Sequence, residues 1–181
     1  MTVKQQEDRL ARLARSIGHT LSETPVAETG SYEYTASYKN AERHELKGSW
    51  RVTSHLVDNV PYERVYAEHR FPGEAPKELS YDSVYEFHTH HCVKRVLVTA
   101  RLEKGVYEYR LTVVLSWRIR EKKLTVQPLI GYQYISLDGK PAVIQELPPD
   151  PSPLNITVAM DGETLVFTDN LDVKRLERIG Q

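Results

Sequence analysis

Three of the seven histidines and the only cysteine lie within one short segment, Glu86-Phe87-His88-Thr89-His90-His91-Cys92-Val93. Imidazole nitrogens and a thiolate are ligands that zinc accepts in proteins. Metal sites usually draw their ligands from separate elements, whereas these residues join two predicted strands, and no Cys-x-x-Cys or His-x-Glu pattern is present. We therefore predict that residues 86–93 form a turn at the rim of the fold and bind no metal. Contact with a ligand and metal binding are the alternatives.

The cysteine is a poor candidate for a nucleophile. Cys92 shares a strand face with Val96 and Val98, so it is predicted to point inward as a small apolar side chain. His91 precedes it directly and therefore points to the opposite face, where it is badly placed to act as a base. We predict no catalytic residue in the chain.

Tyrosine is enriched, with 11 Tyr against 3 Phe and 2 Trp. The tyrosines recur in same-face sets on several predicted strands. Because each buried phenol needs a hydrogen-bond partner, a packed core favours Leu, Ile and Val. A tyrosine-rich interior therefore indicates contact with a ligand or water, and the alternative is an outer surface or plain core. The predicted ligand-binding residues are Tyr81, Tyr85, Tyr107, Tyr109, Trp117, Tyr132 and Tyr134.

Short alternating strands position these side chains. Residues 106–119 are the clearest case, since every second residue from Tyr107 to Ile119 is apolar. Such alternation predicts an antiparallel strand with one buried face. Similar segments, including residues 62–71, follow each other with short turns between them. The pattern predicts an antiparallel meander barrel of about eight to nine strands, because closure removes exposed sheet edges.

One helix is predicted before the strands. Leu10, Leu13, Ala14 and Ile17 follow the spacing of one apolar helix face, and Gly18 suits a helix end. The predicted fold class is thus mainly β with one N-terminal α-helix. We expect a single domain over residues 1–181, with the helix in 1–20 and the barrel in 30–179.

The start of one strand resembles a known family signature. Gly48-Ser49-Trp50 is similar to the Gly-x-Trp motif that opens the first barrel strand of lipocalins and other calycins. In that family an arginine near the chain end packs across the Trp and closes the barrel, a role the resemblance gives to Arg175 or Arg178. The family's Thr-Asp-x-x-Tyr turn is not evident. The resemblance spans roughly residues 46–179 and implies a cup for a small apolar or amphipathic ligand.

Composition restricts the remaining function classes. The formal net charge is −1, which offers no electrostatic argument for nucleic acid or an anionic membrane. One cysteine cannot form an internal disulfide, and the polar N-terminus lacks the apolar run of a signal peptide. No segment approaches the roughly 20 apolar residues of a membrane span. We expect a cytoplasmic protein without a cofactor.

Three functions follow as hypotheses. The leading one is a lipocalin-like protein that binds a small apolar or amphipathic molecule in its barrel. The second is a regulatory or adaptor subunit that acts through a protein partner or a homo-oligomer. The third is a cofactor-free barrel enzyme of the cyclase or isomerase type, which would use general acid–base catalysis.

Overall fold

The computed structural model describes residues 39–40 and 43–180. The predicted helix in residues 1–20 lies outside the described residues, as does the start of the predicted barrel at residue 30. The elements are β1 Lys39–Asn40, α1 Arg43–Leu46, β2 Gly48–Val57, β3 Val60–Pro61, α2 Tyr62–Arg70, β4 Glu78–Phe87, β5 His91–Leu102, β6 Gly105–Arg120, β7 Lys123–Leu137, β8 Lys140–Leu147, β9 Leu154–Asp161, β10 Thr164–Asp169 and β11 Asp172–Ile179.

The strands close into a barrel, which confirms the predicted mainly β barrel fold. Within the described ranges, eight antiparallel strands form a ring in the order β9-β10-β11-β2-β4-β5-β6-β7, and β7 pairs back to β9. The closing pairs run from Lys123–Thr157 to Val126–Leu154. Beyond them β7 pairs with β8, while β1 extends the sheet from β9.

One half of the barrel interior is filled by side chains. Partners across an antiparallel ladder share a face, so the pair Cys92–Leu115 marks the interior of β5 and β6. The core built on this face includes Leu46, Trp50, Val52, Tyr85, Phe87, Cys92, Leu115, Trp117, Leu124, Val126, Val158, Leu165, Phe167 and Leu176. Each fully buried large apolar side chain contributes about 1.5–3 kcal/mol through removal from water. We call this half of the barrel, together with α1, the sealed end.

The predicted strand over residues 62–71 is wrong, because this segment forms α2. Tyr62, Val65 and Tyr66 have the i, i+3, i+4 spacing of one helix face, a signal that competes with the period of two. Arg64 and Glu68 also form an ion pair at i, i+4, with Nε and Oε1 2.9 Å apart. Pro61, which precedes the helix, has a φ of −53° that suits a helix start.

Helix α2 lies where the barrel wall would otherwise open. Strands β2 and β4 pair over four residue pairs only, from Gly48–Phe87 to Arg51–Val84. Past Arg51 the strands diverge, and the aromatic side chains of α2 pack against inward-facing rings of β2, β4 and β6. The helix therefore covers the barrel end opposite the sealed end. Neither helix of the described ranges is long and apolar enough to cross a membrane.

Candidate functional site

Trp50 anchors the sealed end. Its side chain is 1% exposed, and its Nε1 donates a hydrogen bond of 2.8 Å to the Leu46 carbonyl of α1. The Arg178 guanidinium lies 4.4 Å from the Trp50 ring centroid and donates to the carbonyls of Lys47 and Glu45. Arg178 thus fastens α1 to the barrel through a cation–π contact and two hydrogen bonds.

Arg175, the other arginine considered for this role, does not contact Trp50. Its guanidinium pairs with Asp161, with Nη1 and Oδ2 2.9 Å apart on the barrel surface. Arg175 faces outward because it alternates with Leu176, which is fully buried.

Gly48 lies next to the Arg178 guanidinium that covers Trp50. Its φ of +112° is a backbone conformation that side chains disfavour. A Cβ built on Gly48 would also lie 2.8 Å from Nη1 of Arg178. The backbone conformation therefore favours glycine at this position, and a larger residue would also displace the Arg178 guanidinium.

We expect Gly48→Ala to lower the free energy of unfolding by about 1–3 kcal/mol, through backbone strain and displacement of Arg178. Gly73→Ala is the matched control, because Gly73 also has a positive φ, of +82°, but its Cβ would meet no atom within 4 Å. Urea unfolding of both variants measures the difference. Equal losses in the two variants would show that the Arg178 contact contributes nothing.

The histidine segment forms a turn at the sealed end. The His88 backbone N–H donates a hydrogen bond of 2.9 Å to the His91 carbonyl. The Trp117 indole N–H donates to the carbonyls of both His88 and His91. Arg43 of α1 donates to Thr89 O over 2.7 Å. The turn is therefore fixed through its backbone carbonyls by neighbouring side chains.

The chemistry of this segment is limited. His88 Nε2 lies 3.1 Å from Glu86 Oε1, and the His88 and His91 rings stack at 4.5 Å. Among the described residues, no group of three or more His, Cys, Asp or Glu side chains is placed to hold a metal ion. Cys92 is fully buried, and burial raises the pKa of its thiol, so little thiolate forms near neutral pH.

A second cluster, which the sequence did not reveal, lies inside the barrel near α2. It consists of the inward-facing polar side chains of four strands, and we call it the polar chamber: His55, Ser83, Lys94, Asp172 and Lys174. Lys174 Nζ donates to both carboxylate oxygens of Asp172 over 2.7 Å. His55 Nε2 lies 2.9 Å from Asp172 Oδ1.

A bulge turns His55 into the chamber. The β2–β11 register pairs Val52 with Leu176 but Ser54 with Arg175, which leaves Thr53 as an extra residue. This shift resets the alternation of β2, so that His55 and not Ser54 follows Trp50 and Val52 on the inner face. Without the bulge, a strict period of two from Trp50 would place Leu56 on that face.

His55 is neutral at physiological pH. Burial lowers its pKa to about 4, and the nearby charges of Lys174 and Lys94 act in the same direction against Asp172. The Tyr62 ring of α2 stacks on the imidazole at 4.2 Å and 11°. Although Nε2 of His55 is close to Asp172, neither nitrogen of its ring has a partner in hydrogen-bonding geometry among the described residues. A neutral imidazole beside a carboxylate can accept a proton or a hydrogen bond.

Lys94 and Ser83 complete the chamber. The Lys94 ammonium lies 5.5 Å from the Tyr85 ring centroid, and burial lowers its pKa. Ser83 is 0% exposed, and its hydroxyl makes no hydrogen bond within the described part of the chain. Burial raises the pKa of the neighbouring Tyr81 phenol, and the Ser83 hydroxyl lowers it. The two hydroxyls are nevertheless outside hydrogen-bonding geometry.

Five of the predicted ligand-binding residues face the interior. Tyr85 and Trp117 are packed in the sealed end. Tyr81, Tyr107 and Tyr109 lie nearer to α2, where Tyr81 contacts Tyr62 and Tyr109 contacts Tyr66. The Tyr107 hydroxyl is 3.0 Å from that of Tyr66 and accepts a hydrogen bond from Arg70 Nε.

The assignment of Tyr132 and Tyr134 to the lumen is corrected, since both lie on the outer face. The β6–β7 register shifts at Leu129, between the pairs Leu115–Pro128 and Val114–Ile130. This bulge reverses the alternation of the rest of β7. Tyr132 packs outside with Val93 and Val114, and the Arg110 guanidinium lies 6.0 Å from the Tyr134 ring centroid.

Comparison with protein-family models, with curated proteins and with solved structures found no match. The geometry defines an antiparallel β-barrel of eight strands, which is compatible with a calycin-like fold. Its distinguishing features are the sealed end around Trp50 and the polar chamber beneath α2.

Proposed function

We propose that the chain is a lipocalin-like protein that holds a small apolar or amphipathic ligand in the barrel, between the sealed end and α2. The supporting observation is the partial exposure of inward-facing side chains. Leu111 and Tyr109 keep accessible surface, although their partners Val96 and Val98 are 8% and 1% exposed. A close-packed interior would bury all four side chains. The residual surface supports a space that a ligand can enter.

The chemistry of the walls supports an amphipathic ligand. Towards the sealed end the interior is aromatic and aliphatic, and towards α2 it carries the polar chamber and the tyrosine rings. Binding sites for small molecules combine apolar walls with a few placed polar groups. Tyrosine rings serve both needs, since each presents an apolar face and a hydroxyl.

Two further features support the lipocalin-like assignment. Gly48, Trp50 and Arg178 are arranged as the family resemblance implies, with the arginine over the indole at a barrel end. Helix α2 contributes Tyr62 and Tyr66 to the opposite end, where a covering element would exclude water from a bound ligand.

The alternatives remain predictions. A barrel enzyme would draw on the His55–Asp172 pair, but Tyr62 covers one face of the imidazole and Lys174 occupies both carboxylate oxygens. That arrangement favours a fixed wall over a proton-transfer site. The adaptor role, a homo-oligomer and the cytoplasmic location also stay predictions.

Phenylnaphthylamine, an uncharged fluorescent probe, tests the proposal. We expect the wild-type protein to bind one equivalent, and Leu111→Trp to weaken binding about tenfold or more by filling the lumen, a change of about 1.4 kcal/mol. Thr112→Trp is the matched control, because Thr112 follows on β6 and faces outward opposite Tyr132. It should bind as the wild type does. A wild type that binds no probe, or equal effects of the two substitutions, would contradict the proposal.

A further inference from the structure

Lys94 and Ser83, two hydrogen-bond donors of the polar chamber, make no hydrogen bond to an acceptor within the part of the chain that the structure describes. Lys94 pairs directly with Tyr85 across the β4–β5 ladder, and Ser83 pairs with Val96. Ser83 and Lys94 are therefore diagonal neighbours on the inner face, within reach of one small group. Within the described residues, the Lys94 ammonium has the Tyr85 ring as its contact, and the Ser83 hydroxyl has no hydrogen bond.

Burial lowers the pKa of Lys94, and the nearby Asp172 carboxylate, which raises that pKa, offsets burial only in part. Both Asp172 oxygens accept hydrogen bonds from Lys174, so that pair cancels its own charge. Because His55 is uncharged at pH 7, a protonated Lys94 leaves the chamber with one unbalanced positive charge. An ammonium without a counter-charge and a hydroxyl without an acceptor both cost free energy inside a protein. An anion placed between Lys94 and Ser83 would satisfy both groups.

We propose that the polar chamber binds the anionic head group of the ligand, a carboxylate or a sulfonate, with Lys94 as counter-charge and Ser83 as hydrogen-bond donor. This inference rests on the proposed function and names the ligand class for the same site. Ammonium–carboxylate hydrogen bonds are roughly twice as strong as neutral ones.

The position of Lys94 also sets the orientation of the ligand. On the side of Lys94 that faces away from α2, the sealed end fills the barrel, and Phe87, Cys92 and Trp117 there are at most 6% exposed. On the side of Lys94 that faces α2, β5 presents Val96, Val98 and Ala100 to the interior. The apolar body of the ligand therefore points from the head group towards α2. The head enters first, and the aromatic rings of α2 cover the tail.

A matched pair of probes tests this inference. Anilinonaphthalene sulfonate and phenylnaphthylamine have the same rings and differ by one sulfonate group. We expect the wild type to bind the anionic probe more tightly than the neutral one. Lys94→Met keeps an unbranched side chain that is one heavy atom shorter and removes the charge, so it should weaken the anionic probe about tenfold or more and change the neutral probe less than about twofold. Lys104→Met, at an exposed turn, should change neither.

The outcomes separate the two proposals. Equal affinity of the wild type for both probes, or equal effects of Lys94→Met on both, would overturn the anionic head group and leave the binding function intact. Failure of both probes to bind the wild type would overturn the binding function and the head group with it. Circular dichroism reports whether the variants fold. If Lys94→Met does not fold, Ser83→Ala decides the matter: it should weaken the anionic probe alone, and an equal effect on both probes overturns the inference.

Discussion

Trp50→Ala is expected to lower the free energy of unfolding by about 3–5 kcal/mol, the usual cost of removing a large aromatic side chain from a core. Trp50 is 1% exposed, and its ring separates the barrel interior from Arg178. The substitution opens a cavity, removes the donor to the Leu46 carbonyl and leaves the guanidinium without its aromatic partner. Urea unfolding followed by far-ultraviolet circular dichroism measures the change.

Two variants make this measurement specific. Leu171→Ala removes a large side chain that is 62% exposed, and it should change the free energy by less than about 0.5 kcal/mol. Trp50→Phe keeps an aromatic face for Arg178 but loses the indole N–H, so its loss should lie between the other two. A loss below about 1 kcal/mol in Trp50→Ala would show that the sealed end does not depend on this residue.

Acidification is expected to destabilise the protein through His55. The pKa of His55 falls to about 4 in the folded protein, mainly because burial disfavours the charged ring. In the unfolded chain the pKa is about 6.5. Below pH 6.5 the unfolded state therefore binds a proton that the folded state does not. The stability from neutral His55 is complete above about pH 6.5, falls as the pH drops, and is lost below about pH 4. A shift of this size corresponds to about 3 kcal/mol.

A difference between variants isolates this effect from other titrating groups. His55→Phe keeps a ring against Tyr62 and cannot titrate, so its unfolding free energy should change less between pH 7 and pH 4 than that of the wild type. His69→Phe makes the same exchange at an exposed position of α2 and should retain the pH dependence of the wild type. Parallel pH profiles for the wild type and His55→Phe would refute the assignment to His55.

The barrel could be predicted from local patterns in the sequence. The alternation from Tyr107 to Ile119 identifies β6 and its inner face, because a strand with one buried face requires an apolar residue at every second position. The structure decides between Arg175 and Arg178, whereas the Gly48-Ser49-Trp50 motif could be recognised in the sequence through its resemblance to the calycin signature. Such features depend on the local order of residues, which a sequence displays directly.

The polar chamber could be seen only in the tertiary structure. His55, Lys94 and Asp172 come from three distant parts of the chain, and only the ladder registers bring them together. Two bulges also reversed the alternation, at Thr53 so that His55 turns inward, and at Leu129 so that Tyr132 turns outward. A bulge forms where it improves pairing with a neighbouring strand, so the segment that contains it does not display it.

Helix α2 shows the same limit. Its residues carry both a strand-like and a helix-like pattern, and the separation of β2 from β4 leaves a gap that a helix fills with Tyr62 and Tyr66. Packing of those two partly buried rings against the barrel end decides between the patterns, because tertiary packing outweighs the small intrinsic preferences of a nine-residue segment. The barrel can thus be predicted from local periodicity, whereas the polar chamber and helix α2 depend on contacts between residues far apart in the chain.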